Sequence, residues 1–191
     1  LKLIDKIANN LTKAFLLNKI IKPIPLIYTK DIKQAQRIRK LCESKINLPV
    51  IGFKAGGTAI PVLKKLGEKE PFYASIYRNN LLKSGSKVNI NKYTLGIELE
   101  VCFLLKKESL LSKTSITIKN IKKYITHMSP CIEIVGYRQR KKGIKYLGDL
   151  CSDFGGSIKF INGANKKFKN IKFNNLKTII SNKKINQTVI G

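Results

Sequence analysis

Acids are the residues with the clearest chemical purpose here because they are scarce: 11 Asp and Glu stand against 38 Lys and Arg in 191 residues. In Leu95-Gly96-Ile97-Glu98-Leu99-Glu100-Val101-Cys102-Phe103, strand alternation sets Leu95, Ile97, Leu99, Val101 and Phe103 on one face and Glu98 and Glu100 side by side on the other. Cys102 and Leu104 continue the acidic face, so the two carboxylates are expected on a partly apolar, covered surface. Like charges held close in a poorly hydrated place raise each other's pKa or need a cation between them. A further acid, Glu133, stands inside the apolar run Pro130-Cys131-Ile132-Glu133-Ile134-Val135-Gly136-Tyr137. If the three form one site, oxygen ligands in that number suit Mg²⁺, Mn²⁺ or Ca²⁺ rather than zinc, which prefers His or Cys. Their carboxyl groups would then meet within about 6 Å of a common centre. The competing arrangement leaves Glu98 and Glu100 on the solvated face of an edge strand and pairs Glu133 with a lysine.

Two glycine-rich segments carry further reactive groups. Gly52-Phe53-Lys54-Ala55-Gly56-Gly57-Thr58 sets one lysine among glycines at the end of a short strand, where backbone can approach a ligand closely. Lys54 can bind an anion or shuttle a proton there, or it is a solvated lysine in an ordinary turn. The spacing does not match the phosphate-cradling Gly, four residues, Gly-Lys-Ser/Thr pattern, which excludes that nucleotide site. Ser152-Asp153-Phe154-Gly155-Gly156-Ser157 puts an acid beside a glycine pair before a strand, the composition of a turn. Arg138, five residues after Glu133, either steadies a substrate carboxylate or makes a surface salt bridge. His127, the single histidine, reads as a surface or capping residue at a helix end rather than a catalytic base.

These residues need elements to position them. Ile4, Ile7, Ala8, Leu11, Ala14 and Phe15 make an apolar stripe on a helix over about residues 2–20, closed by Pro23 and Pro25. Asp31 caps a second helix running to Glu43. Short β-rich runs follow at Val50 to Phe53, Phe72 to Tyr77, Lys87 to Ile90, Leu95 to Leu105, Cys131 to Tyr137 and Ser157 to Ile161, with a third helix from Thr117 to Met128. The fold class is α+β, with an amino-terminal helical region, 1–48, leading into a β-rich body, 49–191, packed as one unit. The lysine-rich tail from Lys166 to Lys184 reads as a solvated β-hairpin or strand pair.

Composition limits the partners. A net charge of +27 suggests polyanions, but the charge comes from 33 Lys and only 5 Arg, alongside 28 Ile and 16 Asn. Lys, Ile and Asn share A/T-rich codons, and arginine is the residue that base and phosphate recognition favours. The balance is therefore against a nucleic-acid partner. Cys42, Cys102, Cys131 and Cys151 form no metal-spaced pair and lie in apolar stretches, as buried thiols of a reducing cytoplasm would. No run of 18 apolar residues exists, which excludes a helical membrane span. The chain begins at Leu1 rather than Met and stops at Gly191 after an apolar run, so it reads as a fragment.

Four segments in this order, GFKAGG, IELEVCFLL, PCIEIVGYR and SDFGGSIKFING, resemble the 2-oxopent-4-enoate hydratase (2-hydroxypentadienoate hydratase) family. That family belongs to the fumarylacetoacetate hydrolase superfamily, beside the oxalocrotonate decarboxylases. The likeness runs over about residues 25–165. It implies a divalent metal, Mg²⁺ or Mn²⁺, held by Glu98, Glu100 and Glu133. It implies Lys54 as the active-site lysine and Asp153 as a nearby acid, although Ser152 replaces the family's Ala. Ser157 falls one place after the position where many hydratases carry a small hydroxyl residue, and it joins Arg138 as a candidate substrate contact. The implied substrate is a small anionic 2-oxo or 2-hydroxydienoic acid, converted through a metal-stabilised enolate by hydration, decarboxylation or C–C hydrolysis. Relatives form homo-oligomers and continue past the segment like Thr188 to Gly191, which implies a chain truncated at its carboxy terminus. The readings left beside this one are an inactive fragment and a basic nucleic-acid-binding protein.

Overall fold

In the computed structural model, residues 2–110, 115–139, 144–173, 176–181 and 186–190 are described. Helix α1 (Lys2–Leu16) buries Ile7, Ala8, Leu11, Ala14 and Phe15, the stripe expected from their spacing. It ends before residue 20 because Asn18 turns left-handed at φ 50 and the Lys19 N–H closes on the Ala14 carbonyl, the hydrogen bond of a Schellman stop. Helix α2 (Ile32–Glu43) starts at Asp31, whose carboxylate accepts the Lys33 N–H at 2.9 Å. The two helices share a core cluster with Ile24, Ile46, Tyr77 and Phe154.

Strands β1 (Val50–Gly56) and β2 (Phe72–Tyr77) form an antiparallel pair in which Lys54 faces Ala74 and Gly56 faces Phe72. A side chain at Gly56 would overlap the Phe72 ring. A short helix not expected from the sequence, α3 (Ile60–Lys65), connects them, with Pro61 in its first turn.

The main sheet contains β3 (Leu81–Lys83), β4 (Thr94–Leu105), β5 (Ile125–Gly136), β6 (Ser157–Asn162) and β7 (Lys166–Lys167). Its order is β3-β6-β5-β4, with β7 also pairing β5. Helix α4 (Leu147–Ser152), also unforeseen, precedes β6; its Asp149 carboxylate accepts the N–H groups of Lys145 and Tyr146. Strands β8 (Lys177–Ser181) and β9 (Asn186–Ile190) form a separate antiparallel pair. Of the strand pair expected within the lysine-rich tail, Lys166 to Lys184, β8 falls inside it, but its partner β9 begins beyond Lys184 and β7 pairs with β5 instead; residues 174–175 and 182–184 of the tail lie outside the described residues, as does Gly191.

Two expected elements are corrected. Thr117 to Met128 is not a helix: a 3-10 turn at Ile121–Tyr124 leads directly into β5. Its β-branched Thr117, Ile118, Ile125 and Thr126 favour extended backbone, and the helical spacing of Ile118, Ile121 and Ile125 does not override them. Lys87 to Ile90 is not a strand; Val88 packs from irregular chain against Tyr93, Ile134 and Ile158, and Leu81–Lys83 supplies the strand nearby.

The chain divides into two compact units, Leu1–Glu98 with Glu133–Ile161, and Leu99–Ile132 with Asn162–Gly191. The first holds α1, α2, β1, β2, α3 and α4 and all three core clusters. No helix among the described residues is long and apolar enough to cross a membrane.

Of the four thiols, Cys42, Cys131 and Cys151 are buried, but Cys102 is only half-buried, because β4 is the outer strand of its sheet. Burial pushes the Cys42 thiol up to about 12 and the Cys151 thiol up to about 11. The thiolate is the reacting species, so a disulfide reagent at about pH 8 is expected to modify Cys102 alone in the native protein. Rapid modification of Cys42 or Cys151 without denaturant, seen by peptide mass spectrometry, would contradict this packing.

Candidate metal centre

Strand β4 carries Glu98 and Glu100 two residues apart, on the same side of the pleat. Strand β5, its neighbour in the sheet, carries Glu133. One carboxylate oxygen from each of the three lies within 4.8 Å of the others. Oxygens bound to one ion at about 2.0 to 2.6 Å cannot be more than about 5 Å apart, so the donor set fits a single hard cation in number, type and spacing.

Exposure differs from expectation. Glu98 and Glu100 are exposed and Glu133 is buried. The face around the pair is not covered: Leu104, beyond them on it, is 51% exposed, and among the described residues β4 is the outermost strand of its sheet. Sequence alternation states which residues share a face, but not whether another layer lies over it. The two arrangements opposed at the sequence level therefore coexist: the paired glutamates lie on a solvated edge strand, Glu133 takes a lysine, and the three carboxylates still converge.

The lysine is Lys54. Its Nζ donates to Glu133 Oε1 at 2.7 Å and to the Gly155 carbonyl at 3.1 Å, with the Lys54 side chain only 8% exposed. Ser157 Oγ donates to the same Glu133 oxygen at 2.6 Å. Burial pushes the Glu133 carboxyl up; the charge and hydrogen bond of Lys54 and the Ser157 hydroxyl oppose that push, and the Glu98 charge adds to it. Gly155 sits at φ 71, and a Cβ there would come 3.2 Å from the Lys54 stem. Glycine at this position thus permits both the left-handed turn and the passage of the lysine.

Asp153 and Arg138 lie deeper. The Arg138 N–H donates to Asp153 Oδ2 at 2.7 Å, its Nη1 to Asp153 Oδ1 at 3.1 Å and its Nη2 to the Ser157 carbonyl at 2.9 Å. Burial pushes the Asp153 carboxyl up, and Arg138 pulls it back down. Arg138 and Asp153 are 1% and 0% exposed, which replaces the surface salt bridge considered for Arg138 with a core one. Phe15, Tyr93 and Phe154 stand 5.1, 5.7 and 6.0 Å from the guanidinium carbon. His127 lies on β5 opposite Lys167 rather than at a helix end, and it is not one of the converging residues.

Among the candidate residues, then, Glu98, Glu100, Glu133, Lys54 and Ser157 come together. Asp153 and Arg138 pair with each other behind them. The Gly155 carbonyl is the functional group the sequence did not single out. Its signal was the Gly155-Gly156 pair, which marks a special backbone without saying where the carbonyl points.

No protein-family model matches the chain. Over 119 residues it is 26% identical to the TodF product hydratase of Pseudomonas putida, covering 62% of this chain and 43% of that one. In structure it is similar to the 4-oxalocrotonate decarboxylase from Pseudomonas putida G7 complexed with magnesium and adipate, with a TM-score of 0.73, 16% identity, and coverage of 85% of this chain and 62% of that one. The same decarboxylase complexed with calcium and acetate gives a TM-score of 0.70 at 16% identity. The chain thus spans less than half of the curated relative and under two thirds of the solved structures.

Proposed function

With the resemblance to the 2-oxopent-4-enoate hydratase and oxalocrotonate decarboxylase family borne out in sequence by the hydratase and in fold by the decarboxylase, we propose that the protein is a metal-dependent hydro-lyase acting on a small 2-hydroxydienoic or 2-oxo acid. The observation that carries this reading is the convergence of three carboxylates beside a shielded lysine in a chain poor in acids. Glu98, Glu100 and Glu133 would hold Mg²⁺ or Mn²⁺. Bound there, the ion supplies Lewis-acid stabilisation of the enolate-like charge that develops as a proton moves beside the substrate carbonyl.

The chain's own groups do the rest. Lys54 spends two of its three N–H donors on Glu133 and Gly155, leaving the third for an anionic oxygen of the substrate or for proton transfer. Ser157 holds Glu133 in place. Asp153 acts through Arg138 rather than on the substrate directly. The positive field of the chain raises the local concentration of an anionic acid. Adipate and acetate, present in the decarboxylase structures, are carboxylates of the same chemical class.

Decarboxylation is the second reading, favoured by the fold likeness to a decarboxylase; both reactions draw on the same enolate. The proposal extends to a cytoplasmic protein, on the strength of the thiols of Cys42, Cys102 and Cys151. It also includes a homo-oligomer, since Phe53, Leu95 and Ile97 expose apolar surface at 63%, 61% and 48%.

The test is to incubate the protein with 2-hydroxypentadienoate, with and without Mg²⁺, and follow the dienol absorbance. Metal-dependent loss with one water added to the product is expected. Release of CO₂ from an oxalocrotonate-type substrate would assign the second reading. No metal-dependent loss of either substrate would leave the fold without this activity.

A further inference from the structure

We propose that Arg138 and Asp153 are positioning residues of the metal centre: a buried brace that fixes Glu133 through Ser157 and Lys54 through Gly155, without touching substrate. The Arg138 guanidinium has no path to a ligand. One nitrogen is on Asp153, another is on the Ser157 carbonyl, three aromatic rings surround it, and its Nε lies buried without a partner. A group meant to bind a substrate carboxylate would keep a forked pair of donors open.

What the brace holds is the backbone between Asp153 and Ser157. Phe154, Gly155 and Gly156 are consecutive left-handed residues at φ 53, 71 and 72, an arrangement that costs energy at Phe154 and persists only where its surroundings fix it. Asp153 anchors one end of this turn to the Arg138 backbone and side chain. Arg138 Nη2 anchors the other end at the Ser157 carbonyl. The Phe154 ring is locked against Phe15 at 4.3 Å. Between the anchors, the Gly155 carbonyl is aimed at Lys54 Nζ and the Ser157 hydroxyl at Glu133. The two groups that orient the lysine and the buried carboxylate thus belong to one turn, and that turn is shaped by one ion pair.

The metal part of the test rests on the proposed metal centre; the lysine part does not. Arg138→Lys keeps the charge but cannot fork between Asp153 and Ser157, and Asp153→Asn keeps an acceptor but not the ion pair. Both are expected to weaken Mn²⁺ binding, read from the free-ion electron paramagnetic resonance signal, by about tenfold or more. Both should also speed acetylation of Lys54, read by peptide mass spectrometry, while Cys42 and Cys151 stay protected. Arg39→Lys is the control. Arg39 is equally buried and paired with Glu43 at 2.8 Å but bonds nothing at the centre, so this change should leave both readouts unmoved. Should Arg138→Lys fail to fold, Ser157→Ala keeps the ion pair, breaks the last link, and is expected to lose Mn²⁺ affinity similarly.

The brace is overturned if folded Arg138→Lys keeps Mn²⁺ affinity to within about twofold and Lys54 protection intact, or if Arg39→Lys lowers both equally, which would indicate a merely structural role. If the unaltered protein binds no Mn²⁺ that Glu133→Gln abolishes, the metal centre is wrong, and Lys54 acetylation alone decides the brace.

Discussion

Glu133→Gln is expected to weaken Mn²⁺ binding by about a hundredfold or more and to abolish metal-dependent turnover, a larger loss than any change behind the ligands produces. Glutamine keeps the length of the side chain and can still accept from Lys54 and Ser157, the two donors now on Glu133 Oε1. Only the charge is lost, and that charge is the buried one of the three. A carboxylate in a poorly hydrated place attracts a cation more strongly than one facing water, because less solvent screens it. Glu98→Gln, at an exposed position, should therefore cost less than Glu133→Gln. Calorimetric titration with Mn²⁺ measures both. Wild-type affinity in Glu133→Gln, or the reverse ranking of the two variants, would be incompatible with Glu133 as the anchoring ligand.

That ranking was not readable from the sequence, and the reason separates local from non-local information. Helix α2 and strand β2 fall at their expected residues, since a cap at Asp31 and a bounded β-rich run are written in neighbouring positions. The shared face of Glu98 and Glu100 follows equally from alternation. Their exposure does not, because it depends on what packs over that face of β4, and neither that nor the strand order β3-β6-β5-β4 is encoded in a local pattern. The helix expected over Thr117 to Met128 failed where a helical spacing of isoleucines competed with β-branched propensity. Arg138 is the clearest case. Five residues after Glu133 on a mostly apolar run, it had a substrate contact and a surface salt bridge open to it, and the core role appears only once residues 138, 153 and 157 are brought together.

The same pair gives the second large effect. Arg138→Met should destabilise the protein by about 3 to 5 kcal/mol, because it leaves the Asp153 carboxylate buried without its partner. The loss should depend on pH with a definite sign. With the Arg138 guanidinium gone, only backbone hydrogen bonds from residues 138 and 139 oppose the burial that already pushes the Asp153 carboxyl up, so its folded pKa stands above the unfolded value of about 3.9. A folded pKa raised in this way means the native state takes up a proton as pH falls, and its stability declines as pH rises through that value. The deficit of Arg138→Met relative to wild type should accordingly shrink as the buffer is made acidic. Replacing both members, Arg138→Met with Asp153→Leu, removes the stranded charge and should recover most of the lost stability at neutral pH, since buried ion pairs are commonly neutral or worse against apolar isosteres. Urea unfolding of the two single variants and the double variant measures the coupling. If the double variant is less stable than Arg138→Met alone, the charge is not what the arginine neutralises. If stability is recovered in the double variant while Mn²⁺ affinity stays low, the pair is there to shape the turn that aims Gly155 and Ser157 rather than to hold the core together.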